Sequence, residues 1–168
     1  MYRIDMICDL SGNSGVSSLN SMQILEQICT GPVETFDLGE RTGKQLRAGD
    51  VLLLFGGLGA GKTLFTKGIL HALDYDIDEV TSPSFTLVNL YKTPNVDVFH
   101  IDLWRLSESS DVATEVGLDE ILHAENSAVI IEWAEKLTNF THDGRIIKVS
   151  IEGDGDEPRL ISIDRPNE

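Results

Sequence analysis

A chain of 168 residues, 41% of them hydrophobic, is the size of one domain with an ordinary buried core. Thirteen Lys and Arg against 28 Asp and Glu give a formal charge of −15, a field that repels RNA, DNA and anionic membranes and excludes unaided nucleic-acid binding. No run approaches the roughly 18–20 apolar residues of a membrane span. The N-terminus lacks a secretory signal pattern, and Cys8 and Cys29 have no metal or redox spacing, so the chain reads as cytoplasmic with reduced thiols.

Residues 1–29 combine a short apolar start, the polar segment SGNSGVSSLNS and a helical-looking MQILEQI. Such composition is poor core material and reads as a variable, partly mobile extension ahead of a single domain over residues 30–168. The domain opens with a helix: Gly31 as N-cap, Pro32 at the first helical position and Glu34 in the first turn. Val33, Phe36 and Leu46 are expected on one buried face, with Gly39 and Gly43 permitting close approach.

Residues 51–55, VLLLF, read as a buried strand and lead into Gly56-Gly57-Leu58-Gly59-Ala60-Gly61-Lys62-Thr63. The spacing G-x-x-x-x-G-K-[ST] between a strand and an amphipathic helix is that of the phosphate-binding P-loop. Its glycines let the backbone wrap a phosphate with N–H groups inward, and the following helix contributes its unpaired N–H groups and positive dipole end. Lys62 is placed to reach the β- and γ-phosphates and Thr63 to ligate Mg²⁺. Leu64, Phe65, Ile69 and Leu73 form the apolar stripe of that helix.

The segment Thr81-Ser82-Pro83-Ser84-Phe85-Thr86 gathers four hydroxyls around a proline and is the candidate γ-phosphate and metal-sensing switch. Residues 85–92 and 96–102 read as a short hairpin whose second strand ends at Asp102. Residues 107–122 read as helical, capped by Ser109 or Ser110 and broken near Gly117. AVIIEW, residues 128–133, is a buried parallel strand ending in Glu132, the Walker B pattern. Ligands of open α/β sheets sit outside the carboxyl ends of the strands, so Asp102 and Glu132 are expected to face the phosphates. The tail alternates on either side of an acidic GDGDEP turn, a hairpin expected at the sheet edge. His71, His100, His123 and His142 lack metal-ligand spacing and read as structural.

The fold class is therefore α/β: a P-loop NTPase fold with a mostly parallel central sheet, flanking helices and an antiparallel hairpin at the edge. The chemistry is Mg²⁺-dependent ATP hydrolysis by positioning and charge neutralisation. No N-K-x-D for guanine is present, and the one D-x-x-G precedes the P-loop. A small-molecule kinase would need a lid of clustered arginines, which are scattered here, although that class and a nucleotide-gated interaction module stay open on the residues alone.

The stretches GGLGAGKTLFTKGIL, TSPSFTLVNLY, VFHIDLWRL, VGLDEIL and VIIEWAEKL, in that order, resemble the TsaE (YjeE) family over residues 30–163. The resemblance implies an ATPase, slow alone, that acts with TsaD and TsaB in forming the threonylcarbamoyl group on adenosine 37 of tRNAs reading ANN codons. By motif match it implies Lys62, Asp102 and Glu132 as catalytic, and Thr63, Asp102 and Glu132 as metal-binding. Residues 56–64, including Leu58, Ala60 and Leu64, would hold ATP, with Trp133 closing the site, Thr30 near the adenine, and Ser82, Pro83, Ser84 and Thr86 switch-like. Gly57 departs from the usual acidic residue, Leu64 from a second Thr, and Ser84 from a Thr. A docking ATPase of this kind has no need to touch RNA, which accords with the acidic surface.

Overall fold

The computed structural model describes residues 22–107, 111–138, 140–155 and 158–166. Seven strands form one sheet in the order β1-β7-β6-β2-β5-β4-β3. They are β1 (Met22–Cys29), β2 (Val51–Phe55), β3 (Val88–Tyr91), β4 (Asp97–Asp102), β5 (Ser127–Glu132), β6 (Ile146–Glu152) and β7 (Arg159–Pro166). The central strands β6, β2, β5 and β4 run parallel, while β3, β7 and β1 add antiparallel pairs on either side. The helices are α1 (Pro32–Gly43), α2 (Lys62–Ala72), α3 (Val112–Glu115) and α4 (Leu118–Leu122).

Strand parity divides the core into two layers. Along β2, Leu52 and Leu54 join Leu38, Phe65 and Ile69 beneath α1 and α2. Val51 and Leu53 point the other way and join Val112, Leu118 and Ile121 of α3 and α4. On β5, Ala128 and Ile130 belong to the first layer and Val129 and Ile131 to the second. Continuing the alternation by two residues puts Glu132 on the α2 side of the sheet, and the same count from Val98 puts His100 and Asp102 there too.

Helices α1 and α2 meet through glycines. A Cβ on Gly39 would lie 2.3 Å from the Phe65 carbonyl oxygen, and one on Gly68 would lie 2.2 Å from that of Phe36. The interface is backbone against backbone, which only residues lacking a side chain permit. Gly39 and Gly43 make the close approach expected of them and Leu46 is buried, but the buried face of α1 runs through Thr35, Leu38 and Thr42 and not Val33, which is 70% exposed. That helix does begin at Gly31-Pro32, with the Glu34 carboxylate reaching back to the Thr30 N–H at 2.6 Å.

Three further expectations are corrected. MQILEQI is not helical: Met22–Cys29 pairs residue for residue with β7, so the sheet takes in eight residues assigned to the extension. Both Ile24/Leu25/Ile28 spacing and strand alternation fit this segment, and the open edge of β7, with a row of backbone groups to satisfy, selects the strand. The tail hairpin of β6 and β7 consequently lies inside the sheet, with β1 as the edge. The cap of α3 is Asp111, which accepts from the Thr114 N–H, while Ser109 and Ser110 lie outside the described residues. The break at Gly117 stands, at φ 63°. Cys29 is buried and free, and Cys8 lies outside the described residues. Among the described residues no helix is long and apolar enough to cross a membrane.

The glycine interface gives a stability test. Gly68→Ala should cost about 2 kcal/mol or more in urea denaturation, because the new methyl meets rigid backbone. Gly31→Ser, in open space at an extended N-cap, should instead stabilise by only a few tenths of a kcal/mol.

Candidate nucleotide site

At the carboxyl end of β2 the chain turns through Gly56–Gly61 into the N-terminus of α2. Two glycines are required by their surroundings. Gly56 has φ 145°, and a Cβ there would strike the Ile151 carbonyl oxygen at 2.6 Å; Gly61, the N-cap of α2, has φ 106°. A cleft of about 380 Å³ opens beside this loop, lined among others by Gly59, Lys62, Thr63, Ser82, Asp102 and Glu132, with Leu58, Leu64, Ser84, Trp104 and Trp133 completing its wall.

The acids arrive by register. Asp102 and Glu132 are direct partners across the parallel pair β4–β5, and Glu132 is also the partner of Leu54 on β2. Both carboxylates therefore stand level with the start of the glycine loop. The Thr63 hydroxyl donates to Glu132 Oε1 at 2.9 Å, and the Ser82 hydroxyl donates to Asp102 Oδ2 at 2.6 Å. Asp102 Oδ1 accepts from the Trp104 N–H at 2.8 Å, which fixes the turn leaving β4. His100 Nε2 lies 2.9 Å from Glu132 Oε1.

Lys62 folds back over the loop. Its Nζ donates to the carbonyl oxygens of Gly56 and Gly57 at 2.7 and 2.8 Å and lies 3.9 Å from the centre of the Trp133 ring. Trp133 stands at φ 59°, a conformation that costs a bulky residue of order 1–3 kcal/mol, and its ring packs on Trp104 at 4.4 Å. Lys136 ties the two turns together, its Nζ donating to the carbonyl oxygens of Trp104 and Leu106 at 2.5 and 2.6 Å. Burial holds the Lys62 ammonium below the ordinary lysine value of 10.5, opposed by Glu132, Glu135 and Asp102.

The other expected site residues are more dispersed. Pro83 is buried, and the Thr86 hydroxyl is turned to Asn89 Oδ1 at 3.0 Å, so of the hydroxyl cluster only Ser82 and Ser84 line the cleft. Gly56, Gly57 and Ala60 form the loop without lining the cleft, and Thr30 sits outside it at the start of α1. The first turn of α1 nonetheless abuts the loop, since a Cβ on Gly61 would lie 3.6 Å from Thr35 Cγ2.

Four contributors were not expected at the site: His100, which reads as structural from the sequence, and Trp104, Lys136 and Arg159. His100 precedes Asp102 by two residues and Trp104 follows it by two, spacings that share its strand face or its turn. Lys136 and Arg159 have no such signal. Arg159, buried in β7, donates from Nε to the Ala60 carbonyl oxygen at 2.8 Å and from Nη2 to that of Gly155 at 2.5 Å, bracing the loop from the C-terminal hairpin.

The donors around the cleft are hard oxygens: the carboxylates of Asp102 and Glu132 and the hydroxyls of Thr63, Ser82 and Ser84. Among the described residues no group of three or more His, Cys, Asp or Glu is arranged to hold a metal on its own. Such a set fits Mg²⁺, which protein sites hold through one or two carboxylates while phosphate oxygens and waters supply the remaining ligands.

A glycine loop joining a central parallel strand to a helix N-terminus, with acids at the ends of two parallel strands, defines a P-loop NTPase fold. A family model described as Threonylcarbamoyl adenosine biosynthesis protein TsaE matches residues 29–161, and the chain belongs to that family. It is 40% identical over 129 residues to the tRNA threonylcarbamoyladenosine biosynthesis protein TsaE of Mycobacterium tuberculosis, covering 70% of this chain and 75% of the relative. The protein of the same name from Bacillus subtilis is 33% identical over 141 residues, covering 84% and 85%. The crystal structure of Bacillus subtilis YdiB superposes with a TM-score of 0.64 at 29% identity, covering 87% of this chain and 88% of that one.

The lowered Lys62 basicity carries a signed expectation. Between its folded value and 10.5 the unfolded chain binds more protons than the folded one, so stability rises with pH through that window. In urea denaturation at successive pH values, the stability of the wild type relative to Lys62→Met should increase toward pH 10.5. A pH-independent difference would show that Lys62 titrates normally.

Proposed function

We propose that this protein is a Mg²⁺-dependent ATPase serving tRNA threonylcarbamoyladenosine biosynthesis together with homologues of TsaD and TsaB. The observation that carries the reading is the Thr63–Glu132 hydrogen bond, which joins the phosphate loop to the acid at the end of the neighbouring strand. In that geometry the hydroxyl proton is committed to the carboxylate, and the Thr63 oxygen keeps its lone pairs for a cation.

The loop N–H groups and the N-terminus of α2 would receive the β-phosphate. Lys62 would exchange the Gly56 and Gly57 carbonyls for phosphate oxygens, a move within its side-chain reach. Thr63 and Asp102 would hold Mg²⁺, with Glu132 ligating directly or through water. Held there, Mg²⁺ would supply neutralisation of the negative charge that develops in phosphoryl transfer. One of the two acids, or the Ser82 or Ser84 hydroxyl, would orient the attacking water. The stacked Trp133 and Trp104 would shield this chemistry from bulk solvent. With a charge of −15, RNA contacts fall to the partners rather than to this chain.

The test is ATP hydrolysis with and without TsaB and TsaD homologues, for the wild type, Lys62→Ala and Glu132→Ala. Turnover should rise with the partners, and either substitution should lower it by about 100-fold or more. Turnover indifferent to partners and substitutions alike would overturn the reading, and partner-free transfer of phosphate to a small molecule would identify a kinase instead.

A further inference from the structure

His100 has no exposed surface, and the phosphate chemistry above makes no use of it. Its Nε2 approaches Glu132 Oε1, the same oxygen that accepts the Thr63 hydroxyl, each at 2.9 Å. Its Nδ1 is buried and without a hydrogen-bond partner among the described residues. A neutral imidazole has one N–H donor and one bare acceptor. With the proton on Nδ1, a buried donor would be orphaned and an Nε2 lone pair would face a carboxylate lone pair. A doubly protonated ring would orphan the same donor. With the proton on Nε2 the donor is satisfied and only an acceptor is left bare, the less costly arrangement.

From this geometry we propose that His100, as the Nε2–H tautomer, is a positioning residue for Glu132; its catalytic consequence rests on the ATPase reading. The terminal torsion of a glutamate is broad and weakly held by itself. Here two donors from different elements, α2 and β4, converge on Oε1. They fix the carboxylate plane and leave Oε2 for the cleft that Glu132 lines. The residue is itself anchored by its backbone pairing with Ile130 on β5 and Asn89 on β3, and its ring centre lies 6.1 Å from that of Tyr91. The second acid of the site thus owes its orientation to a histidine two residues before the first.

Glutamine places an amide N–H where Nε2–H stands, and leucine fills the space without a donor. The test compares wild type, His100→Gln and His100→Leu in the full chain, together with the ¹⁵N signature of the wild-type imidazole. The wild-type ring should carry its proton on Nε2. His100→Leu should lose about tenfold or more in kcat with little change in KM, and His100→Gln should recover most of that loss. The tightening of ATPγS binding by Mg²⁺ should be weakened in His100→Leu and kept in His100→Gln. A proton on Nδ1, or a glutamine variant as impaired as the leucine one in both readouts, would overturn the proposal. If the wild type binds nucleotide but does not hydrolyse it, the ATPase reading fails, and the tautomer and the Mg²⁺ effect still decide the role of His100. If the leucine variant does not fold, the wild-type tautomer and the behaviour of His100→Gln decide it.

Discussion

The direct pairing of Asp102 with Glu132 across parallel strands is the constraint on which the site depends. Parallel strands present all their carboxyl ends on one side, and register decides whether the end residues are level. With Leu54 paired to Glu132 as well, β2, β4 and β5 bring the glycine loop and both acids to one level without any loop having to reach. Two hydrogen bonds then complete the assembly, Thr63 to Glu132 and Ser82 to Asp102. A slip of one residue in either pairing would turn the acids to the α3–α4 side of the sheet, where Ile101 and Ile131 now pack.

The antiparallel side of the sheet supports this arrangement from behind. The Ile151 carbonyl lies where a side chain on Gly56 would go, and the Arg159 guanidinium holds the Ala60 carbonyl. The loop is thus confined between the cleft in front and β6–β7 at its back, and β1 in turn covers the edge of β7. On the cleft side, strain and buried charge accumulate in a few residues: the positive φ of Trp133, the partly desolvated Lys62 beneath its ring, and the buried Glu132. Such groups persist because their neighbours over-determine them. Trp133 packs against Trp104, whose carbonyl Lys136 holds, and two groups converge on Glu132.

Much of the fold and part of the site were readable from local pattern. The P-loop, its strand and helix, and the Gly117 break all follow from residues adjacent in the chain, where conformational preference and periodicity act directly. Asp102 and Glu132 were legible as strand-end acids because strand parity is a property of the sequence. The hydroxyl cluster was legible as a group. Which hydroxyls face the cleft was not, since Pro83 and the Thr86–Asn89 bond distribute them only in the folded chain.

The sequence by itself thus determined the class of protein: a nucleotide loop, two strand-end acids and a series of motifs whose chemistry is carried by residues a few positions apart. Tertiary structure decided the rest. It made MQILEQI a strand, moved the tail hairpin inward from the edge, exposed Val33, and brought His100, Lys136 and Arg159 to the site. Each of those outcomes depends on backbone pairing or on contact between elements distant in the chain. Spacing along one segment cannot report them, because the free energy that selects them comes from groups satisfied only when the other segment arrives.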